Sequence, residues 1–344
     1  MSAPNKLGWL IPRQKVLFGL TIFLFASFFI RTFFFVANSP ARIHELQKLL
    51  PTVGLLQKET RKLDQQQKKE LLVKAVAELA PKLVPKFVQF KQNFKLAQNN
   101  QIEMCVVEGN SVDFLTATMC YIHDPKKYKD EKRTIYTETL NNRFCKDKNE
   151  ADKFHETPKQ SNKTEDDQKW VHLAVVRDPI ERFVSSFHRL CHKNSTLCGS
   201  CANNFTCFLR LENERANEYA KNPSAFKPNE ADVEFFPQNW HCNFSSYLKN
   251  YTLLRIESKD EGSAKLLNDL FFNFREQKVN NDDMSFLYKQ INERPQTDDS
   301  RILEEAVLES KLRMDTEAMQ LLVQLYHHDF QLFGFEMPYM DTRV

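Results

Sequence analysis

The sequence predicts an α/β fold: a central, mostly parallel sheet flanked by helices, preceded by one transmembrane helix and a stem. Three observations carry that expectation. Two apolar runs, Ile102 to Val107 and Leu173 to Val176, each pass through a tight turn into an amphipathic segment, which is how buried parallel strands alternate with helices. Glycine is scarce, 7 in 344 residues, which argues against a sandwich built from many tight hairpins. Finally, Val16 to Ala37 is apolar, rich in Phe and broken only by Arg31; about 20 such residues suit one membrane span.

Taken in order, residues 1–15 are a cytosolic tail, because Lys6, Arg13 and Lys15 sit just before the apolar run and basic flanks stay on the cytosolic side. Residues 16–37 are the signal anchor. A cleaved signal peptide is the alternative, but the run exceeds a usual signal core and no small-x-small site precedes Pro40. Everything after it is then lumenal. All 8 cysteines lie beyond the span, as an oxidising compartment favours. So do five sequons, at Asn162, Asn194, Asn204, Asn243 and Asn250. Residues 38–100, rich in Lys and Gln, read as a solvated helical stem. Leu49, Leu56 and Leu63 fall seven apart and offer a short coiled coil as the alternative. Residues 101–337 form the lumenal domain, and 338–344 a tail. A net charge of +3 gives no case for nucleic-acid binding.

Within the domain, the first strand, Ile102 to Val107, leads through Glu108-Gly109-Asn110-Ser111 to a helix with Val112, Leu115, Met119 and Ile122 on one side. Gly109 at that turn reflects a backbone need. Residues 123–169 are charged and aperiodic and read as a long surface excursion. The second strand ends at Arg177. Asp178 caps the next helix and Pro179 opens it. Ile180, Phe183, Val184, Phe187 and Cys191 share one helical face, with Arg182, Ser185 and Arg189 opposite. A fixed cation and a hydroxyl beside a helix N-terminus make an anion site; a plain capped helix with Arg177 in a surface ion pair is the other reading. Cys191, Cys198, Cys201 and Cys207 follow. In the lumen they read as disulfides rather than zinc ligands. Phe235, Phe236 and Trp240 read as core, Tyr251 to Ile256 as a third strand, and Leu303 to Tyr326 as closing helices.

Strand, Arg177-Asp178-Pro179, Arg182 and then Ser185 resembles the 3′-phosphate-binding motif of Golgi carbohydrate sulfotransferases. The likeness is to the group related to the chondroitin 4-O- and HNK-1 sulfotransferases, and to its nematode members. Leu115 to Cys120, the cysteine cluster ending Asn204-Phe205-Thr206-Cys207-Phe208, and Leu325 to Phe335 fit the same group. The resemblance spans roughly Ile102 to Phe335. It implies a P-loop-like sulfotransferase fold and 3′-phosphoadenylyl sulfate as donor, with a glycan as acceptor and no metal. It implies that Arg177 and Ser185 hold the 3′-phosphate. It also implies that the first turn, with Gly109, Asn110 and Ser111, cradles the 5′-phosphosulfate. There the family carries a Lys at the place of Gly109. Relatives have His, two residues and then Pro-Gln; this chain has Glu234 ahead of Pro237-Gln238. Glu234, or else His241, is then the candidate catalytic base.

The function expected is sulfuryl transfer to a chondroitin-type or N-glycan hydroxyl by a type II Golgi membrane protein. The turn without its Lys motivates a second reading, a weak or inactive lumenal protein that still binds glycan or nucleotide. A glycosyltransferase is the third, and the chain has no Asp-x-Asp pair for a metal-bound sugar nucleotide.

Overall fold

In a computed structural model the chain is described at residues 67, 69–70, 73–74, 77, 79, 82–139, 142–155, 169–192, 195–256, 260–293 and 299–338. The expected cytosolic tail and span, the stem up to residue 66 and part of it beyond, Asn162 and Asn194 lie outside these residues. Among the described residues no helix is long and apolar enough to cross a membrane.

Five strands form one sheet in the order β3-β1-β2-β4-β5. They are β1 (Phe94–Ala97), β2 (Ile102–Cys105), β3 (Glu150–Ala151), β4 (Val171–Arg177) and β5 (Tyr251–Ile256). β2, β4 and β5 are parallel neighbours, with Met104 against Leu173 and Ala174 against Leu253. β1 is antiparallel to both β2 and β3. The expectation of a mostly parallel sheet is therefore corrected to a mixed sheet. The cause is β1, which belongs to the Lys- and Gln-rich stretch assigned to the stem. Phe94 and Ala97 are buried there, and a three-residue 3₁₀ turn at Gln98–Asn100 returns the chain as a hairpin. So short a link joins only antiparallel strands.

The central strand β4 alternates its apolar residues between two cores. Leu173 and Val175 face one, Ala174 and Val176 the other, which is why the run reads as continuously apolar. The first core is closed by α1 (Val112–His123), α2 (Pro125–Asp130), α7 (Asp260–Glu276) and α8 (Asn281–Asn292). A second helical layer joins α3 (Pro179–Phe187), α4 (Phe205–Lys221), α5 (Glu230–Phe235), α9 (Asp299–Met314) and α10 (Thr316–Phe333). Phe183, Phe187, Phe208 and Phe235 stack at its centre with ring separations of 4.7–6.3 Å. The short α6 (Phe244–Tyr247) precedes β5.

The stretch read as a surface excursion, 123–169, is in part packed. Tyr128, Ile135 and Glu138 are buried, and the Cys120–Cys145 disulfide pins the segment to α1. Glu138 is satisfied by Arg133 Nη1 at 2.6 Å and by the Phe144 N–H at 2.9 Å. The predicted cysteine cluster is oxidised as Cys191–Cys198 and Cys201–Cys207. A fourth bridge, Cys105–Cys242, ties the end of β2 to the segment after α5. With its cysteines 137 positions apart in sequence, it is the one with most leverage on the unfolded chain, about 4–5 kcal/mol on a loop-entropy basis. Asn204, Asn243 and Asn250 lie at or near the surface. Asn204 also caps α4 through its oxygen, which leaves its amide nitrogen facing outward.

One buried carboxyl carries a pH dependence. Glu212 on α4 is buried with Oε2 unpartnered among the described residues. Burial, with Asp232 adding repulsion, pushes its pKa up to about 8. The folded state therefore holds a proton that the unfolded chain releases above the ordinary glutamate pKa, and stability falls as pH rises towards 8. Glu212→Gln should raise the melting temperature at pH 8.5 by about 4–8 °C, for roughly 2 kcal/mol recovered. At pH 5 the difference should nearly vanish, which differential scanning calorimetry at the two pH values will read.

Candidate active site

The C-terminal ends of β2 and β4 present two turns side by side, the usual place for a ligand in an open α/β sheet. After β2 the chain runs through Glu108, Gly109 and Asn110 into α1. Gly109 has φ +83°, and a Cβ there would lie 3.0 Å from Arg182 Nε and 3.3 Å from Ser186 Oγ. The backbone need expected of this glycine is real: the turn passes directly over a buried guanidinium. Asn110 is fully buried. Its amide nitrogen donates to the Val175 carbonyl at 2.8 Å and to Gln238 Oε1 at 2.7 Å, so both amide hydrogens are committed inside the fold. Asn110 thus joins the turn to β4 and does not offer its donors to a ligand. Ser111, also left-handed at φ 59°, is exposed at the start of α1.

Arg182 is not on an outward polar face, as the helical pattern suggested. It is 1% exposed, and its guanidinium donates to three carbonyls: Glu108 at 3.0 Å, Phe236 at 3.1 Å and Glu234 at 2.7 Å. It therefore locks the first turn to the segment that follows α5. That segment is held from behind as well. The Gln238 and Asn239 N–H groups donate to the two oxygens of buried Asp329 at 2.8 and 2.9 Å. The Gln238 side chain behaves like an added strand residue. Its Oε1 accepts from the Arg177 N–H at 3.0 Å and its Nε2 donates to the Arg177 carbonyl at 2.8 Å.

Arg177 ends β4, and Asp178 caps α3 as expected, accepting from the Ile180 and Glu181 N–H groups at 2.9 and 3.1 Å. Burial lowers the Arg177 pKa, against the pull of Glu181 and Glu305. A cation so desolvated gains more from an incoming anion than a surface one. Ser185, two turns along α3, is also buried and meets α9 through Arg301 and Glu305. Arg177 and Ser185 thus lie about two turns apart along α3, linked through α9, whose Glu305 and Arg301 act on both; Arg301 is a residue that the sequence reading did not single out.

The two candidate bases differ sharply. Glu234 is buried but meets an exposed partner: it accepts from Ser186 Oγ at 3.1 Å and is paired with Arg189. His241 is sealed: Nδ1 faces the Lys91 carbonyl at 2.9 Å, and Phe90 packs edge-on at 5.4 Å. Burial, with Arg182 adding repulsion, pushes its pKa down to about 3. It is a sealed core residue of low basicity, which argues against it as the base. Near the first turn lies one cation that sequence reasoning also missed. Lys91 Nζ is 3.3 Å from Glu108 Oε1. Burial, with Glu234 adding repulsion, raises the Glu108 pKa, and Lys91 opposes the shift.

A family profile described as Sulfotransferase family matches residues 92–336. The chain belongs to the sulfotransferase family. It is 27% identical over 273 residues to Carbohydrate sulfotransferase chst-1 of Caenorhabditis elegans, covering 76% of this chain and 80% of that one. It is 29% identical over 208 residues to Putative sulfotransferase vep-2 of the same organism, covering 59% and 64%. No solved structure matches. The match begins at residue 92, close to the start of β1, so the fold and the family agree on taking in residues that composition assigned to the stem.

Sulfotransferases in general take sulfate from 3′-phosphoadenylyl sulfate, and the residues present fit that donor unevenly. Arg177, Ser185 and Arg301 suit a phosphate. The first turn has no side-chain cation of its own, and its Asn110 N–H is already given to the Val107 carbonyl at 3.1 Å. A Lys at position 109 would be strained, because of the left-handed φ and the tight contact of its Cβ with Arg182. Gly109→Ala should accordingly destabilise the protein by about 1–3 kcal/mol. Arg182→Met, which leaves three carbonyls without their donor, should cost about 3–5 kcal/mol. Chemical denaturation of the two variants will check both the order and the sizes.

Proposed function

We propose that this sulfotransferase is a type II Golgi membrane protein with its domain in the lumen, transferring sulfate from 3′-phosphoadenylyl sulfate to a hydroxyl of a glycan, chondroitin-type or N-linked. The observation that carries the reading is the end of β4 and the start of α3. Partly buried Arg177, the helix start capped by Asp178 and, two turns on, buried Ser185 line one side of α3 and make the anion position that we assign. A glycan acceptor is supported by the relative named as a carbohydrate sulfotransferase. The four disulfides support an oxidising compartment. The apolar run at residues 16–37 supports the anchor.

In the reaction the acceptor oxygen bonds to sulfur, the bond from sulfur to the bridging phosphate oxygen breaks, and 3′-phosphoadenosine 5′-phosphate leaves. Positioning and charge neutralisation supply most of the rate in such transfers. We assign the neutralising cation to Lys91. It reaches the first turn from the segment before β1 and so stands in for the Lys that the turn lacks; Glu108 holds it at rest. We assign the base to Glu234, which would take the hydroxyl proton once Arg189 moves aside. The same arrangement explains the alternative of weak turnover: both groups must first leave an ion pair.

The test is transfer of radiolabelled sulfate by the secreted lumenal portion to chondroitin, dermatan and N-glycan acceptors. Wild type should label at least one of them. Lys91→Ala should slow transfer by roughly 100- to 1000-fold and Glu234→Gln by about 100- to 10,000-fold, with nucleotide binding kept in both. Transfer by wild type that survives both changes would overturn the residue assignments. Nucleotide binding without transfer to any acceptor would favour the inactive, ligand-binding reading.

A further inference from the structure

α9 places a carboxylate where an anion belongs. Glu305 Oε1 accepts from Ser185 Oγ at 3.3 Å and from Arg301 Nε at 2.9 Å, and lies 3.9 Å from His188 Nδ1. Arg301 Nη2 also reaches Ser185 Oγ at 3.4 Å. Glu305 and Arg301 both act electrostatically on Arg177. One carboxylate oxygen is therefore surrounded by a hydroxyl, a guanidinium and an imidazole, with a second, partly buried guanidinium, that of Arg177, acting on it. That is the donor set a phosphate oxygen would use. A purely structural ion pair on the surface of α9 would not need the Ser185 hydroxyl, which is buried at the end of the anion site.

We propose that Glu305 is an internal stand-in for the nucleotide's 3′-phosphate, and that Arg301 is a third ligand of that phosphate beside Arg177 and Ser185. The inference rests on the functional reading above and deepens it. Without nucleotide, Glu305 neutralises the cationic site and keeps Arg301 and Ser185 aimed inward. A 3′-phosphate carries nearly two charges and three acceptor oxygens, so it outcompetes a single carboxylate, and Arg301 passes from Glu305 to the ligand. Glu305 is 20% exposed, so its side chain can turn to water as α9 adjusts. A ligand without the 3′-phosphate has nothing with which to displace it. The pair therefore sets specificity for a nucleoside 3′-phosphate at the expense of some affinity.

The experiment is calorimetric titration of the full chain and its variants with 3′-phosphoadenosine 5′-phosphate and with adenosine 5′-phosphosulfate, which lacks the 3′-phosphate. Glu305→Gln keeps the shape and removes the charge; it should tighten the first ligand about tenfold, close to one decade of affinity, and leave the second within about twofold. Arg301→Ala should weaken the first about tenfold or more and spare the second. Glu304→Gln removes a neighbouring charge on the same helix, paired with His188 at 2.8 Å, and should not tighten either. Glu305→Gln binding no more tightly than wild type would overturn the inference, as would equal tightening by Glu304→Gln. If wild type nevertheless prefers the 3′-phosphorylated ligand, the functional reading survives that failure. If wild type shows no such preference, both fall.

Discussion

The site depends on one buried guanidinium. Arg182 spends its donors on the carbonyls of Glu108, Phe236 and Glu234, and these come from two segments that lie more than a hundred residues apart. Burying a guanidinium is costly. Here the cost is met by three charge-assisted bonds, each worth about 1.5–3 kcal/mol, and the shape of the first turn follows from it. Gly109 has no side chain because Arg182 lies where one would go. The position of Glu234 is fixed because its own carbonyl is held by the same guanidinium.

A second lock works through side-chain amides. Asn110 and Gln238 bond to each other and to β4, and Asp329 on α10 fixes the backbone at Gln238 and Asn239. The Cys105–Cys242 bridge fastens the same two segments covalently. The groups left for chemistry, Lys91, Glu234, Arg177 and Ser185, thus sit on or beside segments whose backbone is tightly determined. Rigid support of this kind is what positioning catalysis requires. The contact with α9 is made instead by long side chains, Arg301 and Glu305, and it is there that the proposed exchange of partners takes place.

Much of this was legible in the chain. The runs before Glu108 and Arg177 gave two strands and their helices, because strands buried on both faces leave an unmistakable apolar stretch. The cap at Asp178 and the oxidised state of the cysteine cluster were equally direct. Other features were hidden for physical reasons. β1 is short, and its Lys95 is buried in a pair with Glu150 at 2.7 Å, so composition disguised it as stem. Arg182 looked polar and outward because helical periodicity places charge opposite the apolar face, and nothing local announces three distant carbonyls. Asn110 resembled a phosphate ligand by position, yet its amide is consumed within the fold. Pro237-Gln238 was visible as a signature, but that Gln238 would pair with a strand end required the sheet to be seen. Lys91 and Arg301 reach the site from segments outside every motif.

The central claim is that Arg177 and the nucleotide's 3′-phosphate recognise each other. The most direct measurement is a cycle in which Arg177→Ala is combined with removal of the 3′-phosphate from the ligand, with binding read by calorimetry for all four combinations. The account predicts that the two changes are coupled. Losing Arg177 should weaken the 3′-phosphorylated nucleotide by roughly 10- to 150-fold, on 1.5–3 kcal/mol for one charge-assisted bond, and should barely affect the ligand without that phosphate. Equal losses for both ligands, with no coupling between the two changes, would contradict it.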